Sequence, residues 1–199
     1  ILVNQNKRQM EKHILSNGNI LKIEQDTHGE SPRSWDNLEK ILFFGRHSHL
    51  GDNHGIDSAN YESFEELEEA IKKEYDIACI TKIYGYSHSG LTIATKPFSC
   101  DWDSGVLGFA IITKGDLREN YSRKRLSKQY IDKGYEHIEG AISVLDQFIR
   151  GDVYGFMLED KEGEHIDSCS GFYGSNPLEN GMIDQLSKEV GEELTELLK

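Results

Sequence analysis

Residues 77–113 read IACITKIYGYSHSGLTIATKPFSCDWDSGVLGFAIIT, and the reading of this stretch decides the fold class. Its apolar runs, 77–84, 91–95 and 106–113, are rich in Ile, Val, Thr and aromatic residues, the types that fit a pleated, half-buried surface. Glycine and proline separate them, so three consecutive short strands are expected, and consecutive short strands pair antiparallel. Towards the N-terminus, Ser63-Phe64-Glu65-Glu66 has the form of a capping box, and Leu67, Ala70, Ile71 and Tyr75 then recur at helical spacing. Ile41 to Phe44 reads as a short buried strand, and Ile20 to Glu24 as a strand fed by the turn Asn17-Gly18-Asn19. Towards the C-terminus, Leu126, Tyr130, Ile138, Ala141, Ile142, Leu145, Phe148 and Ile149 step at helical intervals and stop before Gly151, with Gly134 and Gly140 weakening the helix. Residues 153–158 and 164–168 read as a hairpin, and Met182, Ile183, Leu186, Val190, Leu194 and Leu197 as one amphipathic C-terminal helix. The expectation is an α+β fold: a mostly antiparallel sheet of about six or seven strands with helices packed on one face.

The chain has 199 residues, 37% of them hydrophobic, enough to close one sizeable core. With no Ser/Gly linker and only 3 prolines, residues 20–199 are expected to form a single domain behind an N-terminal extension, residues 1–19. The longest apolar run, 106–112, is far too short to cross a bilayer. Residues 1–10 show no secretory pattern, and Cys79, Cys100 and Cys169 are odd in number without CxxC spacing, so a reducing, cytoplasmic setting is expected. Cys79 sits in an apolar strand and reads as an inert core thiol.

The net charge of −13 is unevenly placed. Residues 136–199 carry 15 acids against 4 bases, residues 57–76 carry 8 against 2, and residues 115–135 reverse the sign with 6 bases against 3 acids. A field this negative repels phosphate backbones over any broad contact and suits a basic partner protein. The basic tract Arg118, Arg123, Lys124, Arg125 and Lys128, with Tyr121 and Tyr130 beside it, reads first as counter-charge to the acidic helices.

Several segments together form a fingerprint: Ser31-Pro32-Arg33-x-Trp35-Asp36-Asn37-Leu38, Leu50-Gly51-Asp52, Pro97 to Phe109, Gly151-Asp152-Val153-Tyr154-Gly155-Phe156, and Asp167-Ser168-Cys169-x-Gly171-Phe172-Tyr173-Gly174. Over roughly residues 20–180 the chain resembles a family of small proteins carried by phages, plasmids and chromosomal elements of Gram-positive bacteria. That family has no agreed activity. What the resemblance implies is a mobile-element neighbourhood, where counter-defence genes are common.

Candidate chemistry gathers in the polar segments. His47, His49 and His54, with Asp52, offer imidazole and carboxylate ligands; His47 and His49 would share one side of an extended strand, and His88 would add a ligand. No cofactor is expected, because metal sites need fixed further ligands and the loop reading of this segment is the simpler one. Asp101 and Asp103 flank Trp102, but the register of a calcium loop is wrong, and the pair reads as turn carboxylates with Trp102 packed beneath. Cys100 and Cys169 are the candidate nucleophiles, each in a glycine-bracketed polar loop, with His47, His165 and Asp103 as possible partners. Arg33, Trp35, Asp52 and Trp102 suit ligand contact, although Arg33 clamping Asp52 or Asp152 is the commoner use of such residues. Gly151 to Gly155 lacks any phosphate-loop pattern.

Two functions follow as expectations. The first is an accessory protein acting by binding, an acidic inhibitor of a nucleic-acid-binding host nuclease of the anti-CRISPR or antirestriction type. It would use Glu62, Glu65, Glu66, Glu68 and Glu69 and the later set Glu189, Glu192, Glu193 and Glu196. The second is a small-molecule-binding protein or hydrolase-like enzyme, with a pocket where the two cysteine loops and residues 47–54 converge.

Overall fold

The computed structural model describes residues 10–100 and 102–199, so the reading of Asp101 and of residues 1–9 lies outside it. In chain order the elements are β1 (Met10–Ile14), β2 (Ile20–Gln25), β3 (Lys40–Phe43), α1 (Phe64–Glu74), β4 (Ile77–Ser87), β5 (Leu91–Ala94), β6 (Ser104–Thr113), α2 (Lys114–Asn120), α3 (Lys128–Arg150), β7 (Val153–Glu159), β8 (His165–Tyr173), α4 (Met182–Gln185) and α5 (Lys188–Leu197). Short 3-10 turns span Pro32–Ser34, Gly45–Leu50 and Ser58–Asn60. The class is antiparallel α+β, and the eight strands divide into two four-stranded sheets. By contacts the chain forms two compact units, residues 31–146 and the described part of 1–30 with 147–199.

In the unit 31–146 the strand order is β3-β6-β4-β5, every pair antiparallel. Gly108 explains how β3 comes so close to β6: a Cβ there would stand 2.0 Å from the Leu42 carbonyl oxygen. The capping box of α1 forms as its sequence implies, the Ser63 hydroxyl accepting from Glu66 N–H at 3.2 Å and the Glu66 carboxylate from Glu62 N–H at 3.0 Å. Leu67 and Ile71 of α1 bury against Leu42, Phe109 and Ile111. Ile112 points to the opposite face, where Gly134 of α3 lies against it and Cys79. Where the sequence places helices on one face, this sheet therefore carries a helix on each. Each fully buried Phe or Ile here contributes about 1.5–3 kcal/mol relative to exposure.

In the other unit the order is β1-β2-β7-β8. Leu21, Ile23, Tyr154, Phe156, Leu158 and Phe172 form one apolar face, covered by Met182, Leu186, Val190 and Leu194. β1 lies inside the stretch expected to be an extension: Asn17-Gly18-Asn19, with Gly18 at φ 87, folds Met10–Ile14 back on β2 as a hairpin. The expected single C-terminal helix is two, because Leu186 turns extended (ψ 156) and the Ser187 hydroxyl accepts from Val190 N–H, capping a new helix. The second cysteine segment is mostly strand rather than loop: β8 runs to Tyr173, and Gly171, at φ 87, is the extra residue of a bulge opposite Tyr154 and Gly155. No helix among the described residues is long and apolar enough to cross a membrane.

Candidate functional site

The motif Ser31 to Leu38 builds a buried charge network within residues 31–146. Ser31 caps the 3-10 turn by accepting from Arg33 N–H, which aims the arginine inward. The Arg33 guanidinium forks onto Asp52, with Nε 3.2 Å from Oδ1 and Nη2 2.7 Å from Oδ2, and also bonds the Glu39 carboxylate and its carbonyl oxygen. Glu39 is 1% exposed, and its second carboxylate oxygen lies 2.7 Å from His137 Nε2 on α3. Asp52 meanwhile accepts from Ile41 N–H at 2.7 Å. Burial opposes the Arg33 charge, but the hydrogen bonds to Asp52 and Glu39 outweigh it and raise the guanidinium pKa. Of the four residues expected to contact a ligand, Arg33 and Asp52 are thus engaged with one another, the clamp that arginine chemistry favours. Glu39 and His137 carry no motif and escape the sequence.

His47 and His49 sit on the 3-10 turn Gly45–Leu50, where three residues complete a turn and positions two apart diverge. This corrects the strand-like placement that would have made them paired ligands. His47 Nε2 accepts from Arg46 Nε–H at 2.9 Å, so its ring is neutral with the proton on Nδ1; partial burial, Arg46 and His49 all hold its pKa below the ordinary value. His54 is elsewhere, its Nε2 donating to the Phe43 carbonyl at 2.9 Å and its ring 4.8 Å from that of Phe44. Among the described residues no three His, Cys, Asp or Glu side chains form a group able to hold a metal ion.

His47 and Asp103 do line one hollow, of about 300 Å³, with Arg46, Ser87, Trp102 and Ser104. Asp103 reaches His88, Oδ2 to Nδ1 3.3 Å, and its carbonyl accepts from Ser87 N–H. His88 stacks on Tyr86, which meets Phe98 at 5.7 Å. Arg46 and His47 also border a second, apolar hollow of about 390 Å³ floored by Phe44, Tyr61, Phe64, Leu67 and Leu107. Trp102 does not pack beneath the turn: it is 97% exposed, because glycines and polar residues flank it and leave no apolar bed. Trp35 is 46% exposed. Cys100 is half-buried and does not line either hollow; its carbonyl accepts from the Ser104 hydroxyl. The arrangement can hydrogen-bond a small polar ligand and exchange a proton with it, but presents no thiol to attack one.

Cys169 belongs to the other unit, where it borders a hollow of about 500 Å³ with Asp26, Thr27, His28, Ser168 and Ser170. His165 bonds Ser168 Oγ at 3.1 Å rather than the thiol. Burial, aided by Asp132, pushes the Cys79 thiol up to about 11, in keeping with an inert core residue.

The acidic helices keep their glutamates largely in water, but not idle. Glu65 meets Lys82 at 2.7 Å, Glu68 and Glu69 share Lys72, Glu192 meets Lys188 and Glu196 meets Lys199. Glu66 caps α1, and Glu193 accepts from the Ser16 N–H and hydroxyl, so both serve the fold. Most of the counter-charge comes from these lysines: of the basic tract Arg118 acts on Asp76 just beyond α1, whereas among the described residues Arg123, Lys124, Arg125 and Lys128 form no ion pair. Comparison with family models, with curated proteins and with solved structures finds no match for this chain.

Proposed function

We propose that the protein acts by binding, its acidic helices α1 and α5 each presenting a carboxylate face of its own unit to a positively lined surface of a nucleic-acid-handling protein and excluding the phosphate backbone from it. A host-defence nuclease of the RNA-guided or restriction type, met in the bacterial cytoplasm, fits both the charge and the resemblance. One observation carries the reading. On α1 and α5 the apolar stripe makes the core, whereas Glu65, Glu69, Glu189, Glu192 and Glu196, with Glu62 just ahead of α1, are all exposed, so this charge is surplus to folding. Their ion pairs with lysines are surface pairs of about 0–1 kcal/mol, readily exchanged for a partner's cations.

The test is binding of the intact protein to purified RNA-guided and restriction nucleases at 50 mM and 500 mM salt. Nanomolar to micromolar binding that weakens with salt, and is lost in E62Q/E65Q/E69Q or in E189Q/E192Q/E196Q, supports the proposal. Binding that ignores salt and both triple variants refutes it. A second reading rests on the hollow shared by His47 and Asp103, which suits a small polar ligand; a small-molecule thermal-shift screen that finds no ligand sensitive to Asp103→Asn removes it.

A further inference from the structure

We propose that the turn joining α2 to α3 is a second contact surface, one that takes a short single-stranded segment of nucleic acid. The turn, residues 121–127, leads into α3 with the sequence YSRKRLSK. Arg123, Lys124, Arg125 and Lys128 are exposed, and among the described residues none is neutralised by a carboxylate. Of the neighbouring acids, Asp116 is committed to capping α2 through Thr113. A protein of net charge −13 that leaves four cations unpaired within six residues has not spent them on its own helices.

One of the four cations, Arg123, is held against a ring, as is the neighbouring Lys133. The rings of Tyr121 and Tyr130 pack with centroids 5.0 Å apart, Arg123 lies 5.6 Å over Tyr130, and Lys133 lies 5.7 Å over Tyr121. Ser122 holds the turn at φ 50, alone among the described non-glycine residues in having a positive φ, with its N–H bonded to Glu119 O and that of Arg123 to Arg118 O. Fixing these side chains beforehand lowers the entropic cost of binding.

The pairing of phosphate-seeking cations with half-exposed tyrosine rings selects the ligand. Inorganic phosphate or a lipid headgroup would use the cations and leave the rings idle, whereas a single strand offers phosphates and base faces together. The overall charge does not forbid this. At physiological salt a fixed charge is screened beyond roughly 8 Å, so a strand that touches only the turn is governed by the local excess of cations, 6 bases against 3 acids over residues 115–135. A flat anionic membrane, facing a wide area of the protein, would meet the acidic surface as well. This contact is independent of the groove-binding role of α1 and α5.

The experiment is fluorescence anisotropy of the full chain with a labelled 12-nucleotide single strand between 25 and 200 mM NaCl. With four cations and about −0.7 per phosphate neutralised, log K should fall against log salt with a slope of about −2 to −3. R123Q/K124Q/R125Q/K128Q, whose fold is checked by circular dichroism, should weaken binding more than tenfold and flatten the slope. An abasic strand of equal length should bind at least about fivefold more weakly, the lower end expected for loss of one base stack. E62Q/E65Q/E69Q should leave the affinity unchanged or improve it. Absence of binding across the whole salt range, a quadruple variant that binds as well as the parent, equal affinity for the abasic strand, or preference for phosphatidylserine vesicles each overturns the proposal.

Discussion

Gly134 offers a sharp check on how the unit 31–146 is packed. In a helix interior Gly→Ala ordinarily stabilises by about 1 kcal/mol, since alanine restricts the unfolded chain and fits the helix. Here an added Cβ would stand 2.6 Å from Cys79 Sγ, nearer than real Cβ contacts come, while Leu117 at 3.5 Å and Ile112 at 3.7 Å would be in ordinary contact. Cys79 is fully buried and its thiol donates to the Ile131 carbonyl, so the sulfur has nowhere easy to go. Overpacking of this kind costs about 1–3 kcal/mol. Gly134→Ala should therefore be neutral or destabilising by up to about 2 kcal/mol in the parent protein, yet stabilising by about 0.5–1 kcal/mol in a Cys79→Ala background. A double-mutant cycle by urea unfolding, followed by circular dichroism, measures this, with a coupling of about 0.5–3 kcal/mol expected. A Gly134→Ala that stabilises the parent by its full helical propensity, or a coupling near zero, would refute the close packing of α3 on β4.

Arg33→Leu should destabilise by about 3–5 kcal/mol, because it strands Glu39 as a buried charge beside Asp52, and Arg33→Lys should recover little since an ammonium cannot fork onto Asp52 and Glu39 together; urea unfolding reads both. A thiol reagent at neutral pH should modify Cys100 and Cys169 in the native protein and spare Cys79, and three equal rates would contradict its burial. Because burial raises the Cys79 pKa to about 11 in the fold, the thiol's contribution to stability is complete below the ordinary pKa near 9 and is lost as pH rises from there to about 11. Cys79→Ala should therefore show a shallower alkaline loss of stability than the parent. Ser187→Ala should cost about 1 kcal/mol by uncapping α5, seen as a lower unfolding midpoint, whereas Ser16→Ala should lose only the single hydroxyl bond to Glu193.

The elements with strong periodicity were legible in the chain itself. β4, β5, β6 and the capping box of α1 stand close to where their residues imply. The division of the strands into two sheets was not, because strand patterns state which faces are apolar and not which strands become neighbours: β2 pairs with β7, more than a hundred residues later. β1 was hidden by its polarity, since MEKHI has too few apolar residues to announce an edge strand. In the candidate site, Arg33 and Asp52 were recognisable from the arginine's chemistry, but Glu39 and His137 were not, as nothing local distinguishes a glutamate that will be buried from one that will not. His47 and Asp103 were expected to meet around one site together with Cys100; the two do line one hollow, but Cys100 does not join them. The glycine and asparagine around the histidines pointed to a loop, and the segment is a 3-10 turn that begins at Gly45 with φ 64, so the alternative of an extended strand with His47 and His49 on one side does not hold.

The interleaving of the two units has a bearing on biogenesis. Residues 31–146 are contiguous and have every strand of their sheet in hand once β6 has been made, whereas the hairpin β1–β2 must await β7, roughly 130 residues downstream. At 5–20 residues per second the ribosome needs on the order of ten seconds to deliver it. Throughout that interval the exposed flank of β2, with Leu21 and Ile23 uncovered, is a nascent edge open to chaperones or to a second copy of itself, and slowing translation across α3 would lengthen the exposure.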